Sequence, residues 1–491
     1  MDQNHDSMNE VKSKEYPKSS INSLVPPYFQ KYEQEYTTIP LTDDYDGEVN
    51  LDESDINDKK SGFANNSSGF CDSAPSVQLG GKKRCCLKLL LLIISIILLI
   101  SLFEKHSLHN RDRHFNSKPK FPWKGSTNFT FDPDLFKNFQ LDINGYLTDG
   151  HVIISRSSKA KNVTIDTKIL LSSPHLQDFV NVATYEDLAT EKFSLIINSL
   201  SYEGMRQACI FVQVEIKFPK SLKNFGDLSF NTLNTKIATE DMEGLIFEKV
   251  KWTILDSYIQ TDNLQARQIN IYSNRQISGS YSVSDSLTFQ TSNAKIDTIV
   301  DQLLLSNKIN SPIKSIKLET TNSAIIGIYP YSESFEAHTT NGEIFLDIIE
   351  PDGKVALSKN HEIPNISLDT TNGRIGGSYY VDGEWHATTS NENIEVNIDL
   401  SKDDDASNDE KKITGQTTNG NIDMEVSDAY QGRFHLATTN GNTEIKEGHD
   451  IHYTIDRRQL KTGYKGNDDA SNRNNELVLF NTNGMITLSF F

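Results

Sequence analysis

The sequence predicts an all-β body of stacked repeats, preceded by a disordered tail and a single membrane span. Three observations carry this. Thr-Thr-Asn-Gly occurs at 339–342, 370–373, 417–420 and 438–441, with looser copies at 290–293, 320–323, 388–391 and 481–484. Around these motifs apolar and polar residues alternate with a period of two, the strand period. One apolar run, Leu89–Phe103, is broken only by Ser95 and Ser101.

Residues 1–81 hold 15 acidic and 6 basic residues with no periodic apolar pattern. Such a segment buries too little apolar surface to offset the entropy of ordering, so it reads as a disordered acidic tail. Residues 82–106, "KKRCCLKLLLLIISIILLISLFEKH", read as a transmembrane helix with a basic flank. At about 1.5 Å per residue the central run reaches only about 22 Å, short of a hydrocarbon core of about 30 Å. Beginning the span at Leu87, with Lys88 snorkelling to the headgroups, gives a short crossing over 87–103. The run starts too far from Met1 for a cleavable leader. A juxtamembrane linker follows at 107–120.

The Lys82-Lys83-Arg84 cluster places the tail in the cytosol and the body in the lumen or outside the cell, although five further basic residues between 105 and 120 weaken the charge argument. Cys85 and Cys86 then sit where cytosolic palmitoylation occurs, and Asn128, Asn162 and Asn365 head glycosylation sequons. Tyr36–Ile39 fits a Tyr-x-x-apolar endocytic pattern for cytosolic sorting machinery. The expected location is the plasma membrane or secretory pathway. Only Cys209 of the four cysteines lies beyond the span, so the body has no internal disulfide. The whole chain carries −19 and residues 121–491 carry −17, which repels nucleic acid and anionic lipid.

Taking each motif Asn as an origin gives 234, 274, 293, 322, 341, 372, 391, 419, 440 and 483. Three residues on, nine of the ten positions are Ile, and two residues before, eight are Thr. Asn-Gly joining two-residue-periodic strands fits either an antiparallel hairpin in a sandwich or barrel, or a corner in a β-solenoid. Identity among the repeats favours the solenoid, because only stacked coils bring like residues about 4.8 Å apart into hydroxyl and amide ladders. Compact steps of 19 residues alternate with steps of about 29, and the excess falls in polar inserts at 350–365, 401–412 and 448–475. Residues 121–230 read as an N-terminal β region or cap, and 231–491 as the repeat body. In the corner, the first Thr packs inward beside Ile and the second faces out, so Thr321, Thr340, Thr371, Thr418 and Thr439 form an outward stripe.

The segment "FVQVEIKFPKSLKNFGDLSFNTLNTKI" (211–237), an alternating strand, a Pro-Lys turn and serial Thr/Asn-Gly-Ile strands, resembles the adhesin-like β-solenoid domain family, first defined as an uncharacterised domain family. The resemblance covers about 205–491. It implies surface attachment and brings no catalytic residues.

Signals for chemistry are sparse. His449 and His452 are three apart in a polar insert, a spacing suited to a helix rather than a strand. Asp403, Asp404 and Asp405 lack the spacing of a calcium loop. Glu343, Asp423 and Glu425, outward near the corners, would be the carboxylates of a glycan-cleaving enzyme. The expected function is a non-catalytic, membrane-anchored surface-binding protein without cofactor or metal, whose hydroxyl stripe meets a polysaccharide or other cell-surface ligand. A cell-envelope spacer and a carbohydrate-active enzyme are the alternatives.

Overall fold

The computed structural model describes residues 118–145, 148–199, 208–304, 312–350, 363–400, 410–446, 448–467 and 474–491. The tail, the expected span, Cys85, Cys86 and Tyr36–Ile39 lie outside them. Among the described residues no helix is long and apolar enough to cross a membrane. They form thirty strands, β1–β30 in chain order, and one short 3-10 turn at Pro174–Phe179.

The central repeats show how the sequence becomes structure. β15 (Ile313–Glu319), β17 (Ser332–Thr339), β19 (Asn365–Thr370), β21 (Glu384–Thr389) and β23 (Lys412–Thr417) precede the corners. β16 (Ile325–Pro330), β18 (Ile344–Ile349), β20 (Ile375–Val381), β22 (Ile394–Leu400) and β24 (Ile422–Val426) follow them. A hairpin would pair the two strands of a corner antiparallel. Here each strand instead pairs in parallel with the strand two ahead, β15–β17–β19–β21–β23 in one ladder and β16–β18–β20–β22–β24 in the other. The repeats therefore stack as successive levels, and the antiparallel sandwich is not what the repeat body adopts.

The register aligns like with like. Ile277, Ile296, Ile325, Ile344, Ile375, Ile394, Ile422 and Ile486 are successive partners in the second ladder, each with no exposed surface. Full burial of such a side chain contributes about 1.5–3 kcal/mol relative to exposure. Thr339, Thr370, Thr389 and Thr417 face them from the first ladder, also buried. At the far end of the compact levels the core widens into aromatic pairs: Tyr281–Phe289 at 4.8 Å, Tyr329–Phe335 at 5.4 Å and Tyr379–Trp385 at 5.7 Å between ring centroids. The Tyr329 hydroxyl meets Thr298 Oγ1 at 2.6 Å, and Tyr379 donates to the Gly376 carbonyl at 2.8 Å.

The stack continues toward the N-terminus through β14 (Ile296–Gln302), β13 (Ile277–Thr291), β12 (Ile259–Ser273), β11 (Ile246–Leu255), β10 (Thr235–Thr239) and β9 (Asn224–Leu233). β12 and β13, 15 residues each, pass through both ladders as single bent strands. Further out, β3 (Asn138–Asn144) lies between β7 (Lys192–Ser199) and β9, and β4 (Thr148–Ser157) between β8 (Ile210–Pro219) and β10, all parallel. Beyond them come antiparallel partners, β6 (Val180–Asp187) on β7 and β5 (Val163–Leu171) on β8, with β1 (Phe121–Pro122) and β2 (Asn128–Phe131) antiparallel on the far side of β5.

The C-terminal end departs from the order expected of the sequence. β29 (Glu476–Asn481) pairs with both β23 and β25 (Gly432–Thr438), and β30 (Ile486–Phe490) with both β24 and β26 (Thr443–Lys446). The last repeat of the chain is thus inserted between the two repeats before it. The described part of the polar insert expected at 448–475 includes a hairpin, β27 (Ile451–Arg457) and β28 (Leu460–Lys465), with β28 antiparallel on β25. The physical reason is edge satisfaction: the outermost parallel strand takes an antiparallel cover, and the chain then returns inside it.

Burial raises the hydroxyl pKa of Tyr281, Tyr329 and Tyr379 far above the ordinary tyrosine value. The folded state then keeps these protons at a pH where the unfolded chain releases them, above about 10. Stability from these groups is full below that pH and falls as pH rises beyond it. Tyrosinate absorbance followed against pH is expected to show an early phase from exposed tyrosines and a late one coincident with loss of β-sheet circular dichroism. A single phase preceding unfolding would contradict this.

Candidate binding surface at the repeated corner

Each residue of Thr-Thr-Asn-Gly has a separate task. The first Thr satisfies buried backbone groups on two levels. Thr370 Oγ1 accepts from its own corner's Gly373 N–H at 3.1 Å and donates to the Gly342 carbonyl of the adjoining level at 3.1 Å. Thr339 likewise accepts from Gly342 N–H and donates to the Ser323 carbonyl, and Thr417 accepts from Gly420 N–H and donates to the Glu392 carbonyl. In the inserted repeat Asn481 takes this place, its Nδ2 donating to the Gly420 carbonyl at 2.6 Å.

The Gly is required by close approach. A Cβ at Gly373 would lie 1.6 Å from the Gly342 oxygen, and one at Gly342 would lie 1.7 Å from the Ser323 oxygen. None of the corner glycines at 342, 373, 420, 441 and 484 has a left-handed backbone, so the positive-φ turn usually associated with Asn-Gly is not the reason for them.

The Asn residues make one ladder. Asn322 Nδ2 donates to Asn293 Oδ1, Asn341 to Asn322, Asn372 to Asn341, Asn391 to Asn372, Asn419 to Asn391, Asn483 to Asn419 and Asn440 to Asn483, all at 2.5–2.8 Å. Every donor points the same way along the stack.

The second Thr faces outward. Thr321, Thr371, Thr418 and Thr439 are exposed and Thr340 is half-buried. The structure brings all five onto one edge and adds three hydroxyls that the sequence reading left out. Ser292 precedes Thr321, Ser390 stands between Thr371 and Thr418, and Thr482 between Thr418 and Thr439, as the corner backbone bonds show. Thr340 N–H bonds to the Thr321 carbonyl at 3.1 Å, Thr371 to Thr340 and Ser390 to Thr371, both at 3.2 Å. Ser292 and Ser390 were legible as Thr-to-Ser variants, whereas the place of Thr482 depends on the repeat inserted out of chain order. The result is eight hydroxyls at one strand spacing, about 4.8 Å, beside the Asn ladder.

Outside the corner, Asn128, Asn162 and Asn365 are all exposed, on β2 (Asn128–Phe131), in the turn after β4 and at the first position of β19. Glu343, Asp423 and Glu425 are exposed, but Glu343 stands three levels from the other two, about 14 Å along the stack. That exceeds the separation of about 5–9.5 Å at which two carboxylates flank a glycosidic bond, so Glu343 pairs with neither. Asp423 and Glu425, two residues apart on one face of β24 (Ile422–Val426), lie about 7 Å apart. His449 is exposed, and His452 lies on β27 with its ring stacked on Tyr464 at 4.7 Å. Asp403, Asp404 and Asp405 lie outside the described residues. Among the described residues no three metal-ligating side chains converge. Cys209 is half-buried, and burial together with the nearby Asp149 charge raises its thiol pKa.

No family model matches the chain, and no curated protein matches it. Among solved structures it is similar to one described as a putative cell adhesion protein from Clostridium sporogenes. The identity is 9%, the match covers 76% of this chain and 100% of that one, and the TM-score is 0.15. So loose a superposition carries no argument about fold or function.

The two threonines of a corner should respond differently to loss of the hydroxyl. Thr370→Val strands the buried Gly373 N–H and Gly342 carbonyl, at a cost of about 1–3 kcal/mol. Thr371→Val removes a solvated hydroxyl and is expected within about 0.5 kcal/mol of wild type. Urea denaturation of both variants checks this; equal destabilisation would contradict the assigned roles.

Proposed function

We propose that residues 231–491 form a β-solenoid acting as a non-catalytic, adhesin-like binding module, held at a cell surface by a span at 87–103, with a polysaccharide as the ligand of the corner stripe. The observation that carries this reading is repetition in register: eight outward hydroxyls and a continuous row of carboxamides at one strand spacing. A single small substrate has no use for eight equivalent groups. A polymer with many hydroxyls does, because weak contacts on a rigid array add without a further ordering cost at each one. The charge of −17 on residues 121–491 favours neutral or cationic chains over anionic ones. Asn128, Asn162 and Asn365, all exposed, are the positions at which glycans would attach on the extracellular side.

The test is retention of the full chain, in lipid nanodiscs, on a panel of immobilised neutral, cationic and anionic polysaccharides. The triple variant Thr340→Val, Thr371→Val, Thr418→Val is expected to bind at least about tenfold more weakly, as loss of one or more hydrogen bonds of about 1 kcal/mol implies. Its denaturation midpoint should stay near wild type. Retention of the variant equal to wild type, or no retention of wild type by any polymer, would overturn the reading.

A further inference from the structure

We propose that Asn440, at the spatial end of the amide ladder, is the corner asparagine of the folded protein that undergoes deamidation, and that the ladder with its buried threonines protects the others. Five corners carry the Asn-Gly pair prone to this reaction: 341–342, 372–373, 419–420, 440–441 and 483–484. In all five the preceding residue is Thr, so their local sequences impose nearly the same intrinsic rate. Differences among them must come from the fold.

The chemistry defines what the fold has to block. The Gly backbone nitrogen gives up its proton to solvent base and attacks the Asn Cγ. A new N–Cγ bond closes a succinimide, the bond from Cγ to Nδ2 breaks, and the nitrogen leaves as ammonia. Water then opens the ring to aspartate or isoaspartate. The attack requires a free Gly N–H and an Asn side chain able to rotate toward it.

Three corners have neither. Asn341, Asn372 and Asn419 each donate through Nδ2 to one neighbour and accept through Oδ1 from the other, at 2.7–2.8 Å. Their nucleophiles are held as well, with Gly342, Gly373 and Gly420 N–H bonded to Thr339, Thr370 and Thr417 Oγ1 at 3.1–3.2 Å. Asn483 is clamped on both sides by Asn419 and Asn440. Asn440 is different. Its Nδ2 reaches Asn483, but β25 and β26 form the last level of the Asn ladder, and among the described residues none donates to its Oδ1. The β27–β28 turn lies beyond it, and there Gln459 Nε2 donates to the Thr439 carbonyl instead. The Asn440 side chain is exposed, and one hydrogen bond holds it. The carboxylate formed there adds negative charge at the end of the stack. An isoaspartate also lengthens the backbone by one carbon at the corner feeding β26.

The experiment is incubation of the full chain at mildly alkaline pH in ¹⁸O-labelled water, with peptide mapping of all five corners over time, run folded and in concentrated urea. In the folded protein Asn440 is expected to lead Asn341, Asn372 and Asn419 by about fivefold or more, the rate factor commanded by a single hydrogen bond. In urea the five should react at similar rates. Equal rates in the folded protein, or the same lead for Asn440 in urea, would overturn the proposal. Thr339→Val separates the two parts of the protection: Asn341 should accelerate while Asn372 does not. No change at Asn341 would remove the buried hydroxyl from the account.

Discussion

The structure depends on one constraint: adjacent levels lie one strand spacing apart, about 4.8 Å, at every corner as well as in the strands. In a strand that spacing follows from the parallel backbone ladder. At a corner the backbone leaves ladder geometry, and its donors and acceptors would be stranded in a buried position. At Thr339, Thr370 and Thr417 the first Thr of the motif bridges the gap by accepting from its own corner and donating to the adjoining level. Gly then allows the two backbones to approach, where a Cβ would overlap a carbonyl oxygen at 1.6–2.0 Å. The Asn amides couple the exposed side of the same corner. Three residues thus serve stacking, which leaves the second Thr as the residue of the motif with no evident structural task and makes it the natural candidate for binding.

A stack of parallel strands has two open ends, and open strand edges invite pairing with other chains. Both ends are closed in a related way. At the N-terminal end β5 and β6 run antiparallel on the outermost parallel strands, β1 and β2 cover β5, and β3–β4 lies inside the level formed by β7–β8. At the C-terminal end β28 covers β25, and β29–β30 lies inside β25–β26. The remaining edge, β26, is four residues long and ends at the exposed Lys446, two features that discourage further pairing. At the C-terminal end the outermost level is β25–β26, and β29–β30 is held inside it with a parallel neighbour on each side.

Much of this was legible in the sequence. The Ile three residues after Asn and the Thr two residues before it fixed which side faces the core, and stacked like residues were expected to form amide ladders, which Asn293 through Asn440 do. Two features were not legible, for physical reasons. The order of the last two repeats depends on which edge a hairpin covers, a long-range pairing that leaves no local mark; "IHYTIDRRQLKTGYK" reads as polar because most of its residues in β27 remain solvated. The reason for Gly was also hidden, since a tight turn and a close approach select the same residue. The candidate stripe was legible for five of its eight hydroxyls. Ser292 and Ser390 differ from the motif by one substitution, and Thr482 joins only because its repeat is inserted before Asn440.

The most direct test of one continuous corner ladder is a pair of electron-spin distances, measured with the native cysteines replaced. Spin labels on Thr321→Cys with Thr482→Cys, and on Thr321→Cys with Thr439→Cys, should lie about five and six strand spacings apart, near 24 and 29 Å. The account predicts two narrow distributions with the Thr482 pair the shorter. The reverse order, which follows if repeats stack as they occur in the chain, or broad distributions without that increment, would contradict it.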